Sequence, residues 1–271
     1  FAGTDFTAHL NKHIDTLTNY YGAGWWKFDQ EFFAMESRHG KIRNVNALHE
    51  AFASVRTNYP ELVIEACMGG GKMINEFTDM IAQIHWIRDG ERSGYMHAIN
   101  NIHEAIGATE FLAPAKVQRW NNRINEVDAD NPELLKFYMR SCMLGTWGIS
   151  ANLKKLNDKY FNIISRERNH YRRINKIKKH NLFEHEVPLE YSSNIYAIYY
   201  NEDFSEAAVL FYRMFRNEKP VKRIIQTQLK PGEYQITNVD NNSINKISGN
   251  EIQIGMRESQ MSAIYFIKQI N

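Results

Sequence analysis

Short apolar runs alternate with longer amphipathic stretches over the first 150 residues, and this rhythm limits the fold more than any other feature. Leu10, Ile14, Leu17 and Tyr21 recur at helical spacing, so residues 7–21 read as a helix that stops at Gly22-Ala-Gly24. Residues 25–28 (WWKF) read as a short strand ending at Asp29. The spacing then predicts a helix over 44–59, with Asn44 as N-cap and Pro60 beyond its end. A buried strand over 61–66, a short helix over 75–83 and a strand over 84–88 follow, the last ending at Asp89. Next come a helix over 94–106 closed by Gly107, a strand over 109–112 and a long polar loop containing Trp120. A helix over 133–144, a strand over 146–150 and a long helix over 153–179 complete this half. Five strands with helices between them imply parallel βαβ units. In such sheets the chemistry gathers at the carboxyl ends of the strands. Asp29, Cys67 and Asp89 all fall at predicted strand carboxyl ends.

The texture changes after about His180. Residues 194–200, 207–216, 222–229, 233–239, 252–254 and 262–267 are short β-rich runs. Turn residues such as Pro231-Gly232, Asp240-Asn-Asn242 and Ser248-Gly249 separate them, and no helical pattern intervenes. This predicts a second, antiparallel β domain over 181–271, after an α/β domain over 1–180.

The stretch Val63-Ile-Glu-Ala-Cys-Met-Gly-Gly-Gly-Lys-Met-Ile74 invites a phosphate-loop reading, which fails on two of four defining positions. The first glycine would have to be at Ala66 and the magnesium-binding hydroxyl at Met73. The net charge of +2 and pI of about 8.4 give no argument for nucleic acid, and the basic run over 166–179 reads as a solvated helix face. No apolar run approaches the ~20 residues of a membrane span. Two cysteines make no disulfide framework. No signal peptide opens the chain, but Phe1 is not a natural start, so the compartment stays unassigned. The ten histidines show no metal-ligand spacing, and no Gly-x-Ser-x-Gly elbow is present, so neither a metal nor another cofactor is expected.

Two carboxylates at neighbouring strand ends form a glycosidase pair when one attacks the anomeric carbon and the other protonates the leaving oxygen. Asp at a strand end also serves as an ordinary helix N-cap, and spacing alone leaves both readings open. Lys27, on a strand inside such a sheet, needs a partner, and Asp29 with a polyhydroxyl ligand would supply one. Cys67, from its chemistry alone, reads as a small buried hydrophobe ahead of a ligand contact. His85 is expected to point outward or to lie against a helix. Gly69 to Gly71 either relax a turn or let backbone amides approach a ligand closely.

Together, Trp26-Lys-Phe-Asp29, Glu65-Ala-Cys-Met-Gly-Gly-Gly-Lys72 and Trp86-Ile-Arg-Asp89 resemble family 36 of the glycoside hydrolases, the α-galactosidase (melibiase) family. Leu144-Gly-Thr-Trp-Gly-Ile-Ser150 resembles that family's segment near the last barrel strand. The resemblance implies an α/β fold: the C-terminal portion of a (β/α)8 TIM-type barrel over 1–180, then an antiparallel β-sandwich over 181–271. It implies a retaining hydrolase that removes terminal α-linked galactose from oligosaccharides or glycoconjugates. An α-N-acetylgalactosaminidase, a transglycosylase or a non-catalytic sugar-binding relative is the alternative. Carried over by residue, Asp29 resembles the nucleophile and Asp89 the acid/base. Lys27, Cys67, Gly69 and Gly70 resemble the sugar-binding set; Trp86 is expected to bind substrate with them, as is Arg88, which stands where the family often has an acidic or small polar residue. The expected partners are an oligosaccharide or glycoside substrate and a missing N-terminal region of the same protein that completes the barrel. A homo-oligomer is left open; neither nucleic acid nor a membrane is expected.

Overall fold

The computed structural model describes residues 4–29, 38–71, 74–89, 94–122, 124, 127, 130–178, 183–185, 194–215 and 219–270. The chain divides into two compact units, Phe1–Asp89 with Lys116–Gln118, and Gly90–Ala115 with Arg119–Asn271.

In the first unit, helix α1 (Thr4–Asp15) runs into one π-helical turn (Thr16–Tyr20), and Gly22 at φ 69° releases the chain into β1 (Trp25–Phe28). Helix α2 (Arg38–Asn58) begins six residues before the expected cap, so Asn44 lies inside it. Strand β2 (Val63–Ala66) pairs in parallel with β1, Lys27 opposite Glu65. Helix α3 (Glu76–Ile81) is capped by Asn75, whose side chain accepts from the Thr78 amide. Strand β3 (Ile84–Trp86) pairs in parallel with β2 and with the opening residues of β4 (Val117–Asn122). One face of this sheet is apolar: Phe28, Ile64 and Ala66 join Leu48, Phe52 and Val55 of α2 and Leu10 and Ile14 of α1 in a single core. Strand alternation therefore puts Trp25, Lys27 and Glu65 on the opposite face.

In the second unit the expected strand over 109–112 does not form. Helix α4 (Gly94–Thr109) continues through Gly107, and a turn follows, with the Leu112 amide bonded to the Ala108 carbonyl. The fourth strand is β4 instead, inside the stretch read as a polar loop. Gln118, Arg119 and Asn121 are polar yet buried, so the strand carries no apolar signature. Arg119 pairs with Glu104 at 3.0 Å, and Asn121 donates to the Gly148 carbonyl and accepts from Cys142. Helix α5 (Pro132–Ser141), β5 (Thr146–Ser150, the strand after β4 in sheet order) and α6 (Asp158–Ile177) follow. Five parallel strands are thus present among the described residues; they do not make a closed eight-stranded barrel.

The rest of this unit is antiparallel. It comprises β6 (Phe183–His185), β7 (Asn194–Tyr200), β8 (Glu206–Arg213), β9 (Val221–Gln226), β10 (Glu233–Asn238), β11 (Ser243–Ser248), β12 (Glu251–Met256) and β13 (Ser262–Gln269). Six strands are ordered β11-β10-β13-β8-β7-β6, and β12 pairs with β9. Ile225, Ile252 and Ile254 of the pair share one core with Ile198, Val209, Phe211, Ile236 and Ile267 of the six-stranded sheet, so apolar side chains fill the space between two β layers. The sequence reading missed β6 and β11. Strand β11 is at the sheet edge with most of its residues exposed, which removes the alternation that marks a half-buried strand.

Candidate active site

The candidate site belongs to the first unit, where β1, β2 and β3 deliver their ends side by side. Lys27 is the last residue of β1 on the polar face, and Asp29 follows the strand. The Cys67 amide bonds to the Phe28 carbonyl at 3.0 Å, which extends the β1–β2 ladder up to the site. Beyond Cys67 the chain closes one tight turn, Met68–Gly71, with the Gly71 amide on the Cys67 carbonyl at 3.2 Å. Gly69, Gly70 and Gly71 have φ of 61°, 73° and 83°, a left-handed run open to glycine and strained for other residues. Space imposes the same choice. A Cβ on Gly70 would stand 2.6 Å from the Asp89 amide nitrogen, and one on Gly71 would stand 2.3 Å from the Ile87 carbonyl oxygen.

This turn touches both candidate carboxylates. The Gly69 amide donates to Asp29 Oδ1 at 3.2 Å, and Gly70 rests on the Arg88–Asp89 backbone. Asp29 has two further neighbours: Lys27 Nζ at 3.9 Å from Oδ2, and the Cys67 thiol, which hydrogen-bonds its carboxylate. Burial pushes the Cys67 thiol up to about 11, with Asp29 adding to the rise and the Gly70 amide and Lys27 opposing it. The thiol is therefore protonated at neutral pH and acts as a donor. Asp89 Oδ1 accepts the Trp86 indole N–H at 2.7 Å, and the Lys27 ammonium lies over the same indole, 4.6 Å from the ring centroid. Asp29 and Asp89 are exposed, whereas Cys67 and Trp86 are buried.

Seven residues expected from the sequence, Lys27, Asp29, Cys67, Gly69, Gly70, Trp86 and Asp89, thus form one connected group. Arg88 is exposed beside it. Strand β3 ends at Trp86, short of the expected Arg88, so Arg88 and Asp89 extend from a loop. His85 lies on the helix side of the sheet, buried, with Nε2 3.4 Å from Asp79 of α3. Burial holds its imidazole below the usual value, against the pull of Asp79. One residue of this group was missed. Glu65, 2% exposed, takes the Trp25 indole N–H on Oε2 at 2.9 Å and faces Lys27 at 3.6 Å. Its signal was a carboxylate inside the apolar run Val63-Ile-Glu-Ala66, which a buried strand carries only for a reason. Among the described residues, no cluster of three or more His, Cys, Asp or Glu could hold a metal, and no helix is long and apolar enough to cross a membrane.

No family model matches this sequence. Nor does any curated protein match it by sequence. Solved structures match it by shape. The family 36 α-galactosidase AgaA of Geobacillus stearothermophilus, solved as a variant in complex with raffinose, superposes with a TM-score of 0.80 at 14% identity. That match covers 99% of this chain and 39% of that one. The galactosidase domain of the α-galactosidase–sucrose kinase AgaSK gives 0.79 at 14% identity, covering 99% and 38%. A family 27 β-L-arabinopyranosidase from Geobacillus stearothermophilus, in complex with arabinose, gives 0.62 at 7% identity, covering 98% and 62%. The chain therefore spans about two fifths of the length of the family 36 structures it matches. Its fold is that of the C-terminal part of family 36 α-galactosidases.

Proposed function

We propose that this chain carries the two catalytic carboxylates of a retaining α-glycosidase that removes terminal α-linked galactose. One observation carries the reading: a single glycine turn touches both carboxylate-bearing segments, through the Gly69 amide to Asp29 and the contact of Gly70 with the Asp89 backbone. A turn of that kind fixes two acids relative to each other and leaves backbone facing the ligand. Asp29 attacks the anomeric carbon while Asp89 gives its proton to the glycosidic oxygen. Asp89 then takes a proton from water, the water oxygen attacks the same carbon, and Asp29 is released. The Gly69 amide and the Cys67 thiol orient the Asp29 carboxylate. The Trp86 indole occupies Asp89 Oδ1, so Oδ2 is the oxygen that carries the proton. Lys27, Gly69 and Gly70 meet sugar hydroxyls, Arg88 the leaving side, and Trp86 supports Lys27 on its ring face.

The raffinose complex of AgaA supports an α-galactoside as substrate. The partial coverage supports a further proposal, that sequence outside these residues completes the barrel. The test is a panel of nitrophenyl α-glycosides offered to the whole natural protein. Turnover is expected on the α-galactoside above the α-glucoside and the α-N-acetylgalactosaminide. Binding without turnover on every member would overturn the reading in favour of a sugar-binding protein.

A further inference from the structure

We propose that Glu65 is the positioning residue of this site: it holds the Lys27 ammonium back from Asp29, so that the nucleophile faces the sugar and the lysine is left for hydroxyls. The inference rests on reading Asp29 and Asp89 as a glycosidase pair. Its basis is geometric. Glu65 is central in β2, opposite Lys27 of β1 and Ile84 of β3, and only 2% of it is exposed. Oε2 is fixed by the Trp25 indole N–H at 2.9 Å. Oε1 is buried and accepts no hydrogen bond among the described residues; the Lys27 ammonium stands 3.6 Å from it. That ammonium is also 3.9 Å from Asp29 Oδ2, with the Trp86 ring beneath it at 4.6 Å.

Among the described residues, Lys27 is thus a cation between two anions at similar distances, 3.6 and 3.9 Å, with the stronger pull on the buried side where water screens less. The two anions differ in exposure. Glu65 is buried within the sheet and tied to Trp25, whereas Asp29 is at an exposed strand end. The buried carboxylate works as a fixed anchor. Without that charge, Asp29 is the remaining anion beside Lys27 among the described residues, and the ammonium moves onto Oδ2. That movement covers the attacking carboxylate and takes the ammonium away from the sugar. Trp25 belongs to the same device: its indole N–H occupies Oε2 and leaves Oε1 turned towards Lys27.

A double-mutant cycle in the whole natural protein tests this, read as kcat/KM on p-nitrophenyl α-D-galactopyranoside. Because Glu65 acts through Lys27, Glu65→Gln is expected to lower kcat/KM by about 30-fold alone, but by under about twofold in a Lys27→Met background. A residue that merely stabilises the sheet lowers activity by the same factor in both backgrounds, and that result would overturn the proposal. A second readout needs no turnover. The five tryptophans give indole N–H resonances in a 15N-labelled sample, and the one lost in Trp25→Phe identifies Trp25. Glu65→Gln is expected to move that resonance upfield, as a carboxylate acceptor becomes an amide; an unmoved resonance overturns the anchor. If Glu65→Gln does not fold, Trp25→Phe goes through the same cycle, with a smaller loss expected and again none in the Lys27→Met background. The two failures are distinct. A wild type without turnover on any α-glycoside overturns the glycosidase reading and this proposal with it. An active wild type with additive losses overturns this proposal alone.

Discussion

Gly69 donates its backbone N–H to Asp29 Oδ1 at 3.2 Å, so the turn after β2 holds the carboxylate at the end of β1. Gly70, the next residue, leaves no room for a side chain against Asp89. Two strand ends are thus coupled through four residues of backbone.

Gly70→Ala tests that coupling. The new methyl would have to occupy a point 2.6 Å from a backbone nitrogen, at a φ of 73°. Backbone strain of this kind costs about 1–3 kcal/mol, and the turn will move to relieve it. The expected result is a lower Tm together with a fall in kcat of at least about tenfold, because Asp29 and Asp89 move apart. Gly249→Ala is the control. It has a φ of 93° but open space around it, and it should cost stability without touching turnover.

Cys67 separates packing from chemistry. Its thiol hydrogen-bonds Asp29, and burial keeps it protonated up to about pH 11. Cys67→Ala removes the donor and should lower kcat several-fold, with a stability loss of about 1 kcal/mol. Cys67→Leu overfills a fully buried position at a cost of about 1–3 kcal/mol and pushes the glycine turn outward, so KM should rise steeply. Loss of stability with kcat and KM unchanged in both variants would make Cys67 packing alone.

Lys178 gives the second unit a pH signature. It is fully buried at the end of α6, donating to the Met143 and Gly145 carbonyls beside the rings of Tyr171 and Tyr199. Burial lowers its ammonium from 10.5 to about 7. Between those values the unfolded chain holds a proton that the folded chain does not, so stability rises with pH across that window. The slope approaches about 1.4 kcal/mol per pH unit and vanishes below pH 7, where both forms are protonated. Denaturant titrations from pH 6 to 10 should show the rise, and Lys178→Met should flatten it.

Arg140 should matter far more to folding than to chemistry. It is 1% exposed and makes paired hydrogen bonds to both Glu167 of α6 and Asp240 between β10 and β11, plus one to the Ser262 carbonyl. Burial pushes the guanidinium down, but the two carboxylates more than offset this and leave it raised. Arg140→Met strands two buried anions and should cost about 3–5 kcal/mol in denaturant unfolding. Adding Glu167→Gln and Asp240→Asn should recover much of that loss.

The sequence made the strand ends readable because short apolar runs next to Asp and glycine are a local signal. Trp25–Phe28 and Thr146–Ser150 formed as expected, and the connected site residues came from the ends of β1, β2 and β3. What stayed hidden depends on partners distant in sequence. Strand β4 was read as a loop because Arg119 and Asn121 look solvated until Glu104 and Gly148 are beside them. Glu65 was passed over for the same reason: its importance comes from Lys27 and Trp25, about forty residues earlier. Helix ends moved by several residues past a plausible cap, as at Asn44 and Gly107.

Azide rescue of Asp29→Ala tests the central claim most directly. The whole natural protein carrying that variant should turn over no α-galactoside by itself. Azide should restore reaction with an activated aryl α-galactoside and give a galactosyl azide of inverted anomeric configuration, since the small anion fills the place of the lost carboxylate. Asp89→Ala, measured alongside, should give an azide of retained configuration and lose most on substrates with poor leaving groups. A retained azide from Asp29→Ala with an inverted one from Asp89→Ala would reverse the two roles. Full activity in both variants without azide would contradict the account.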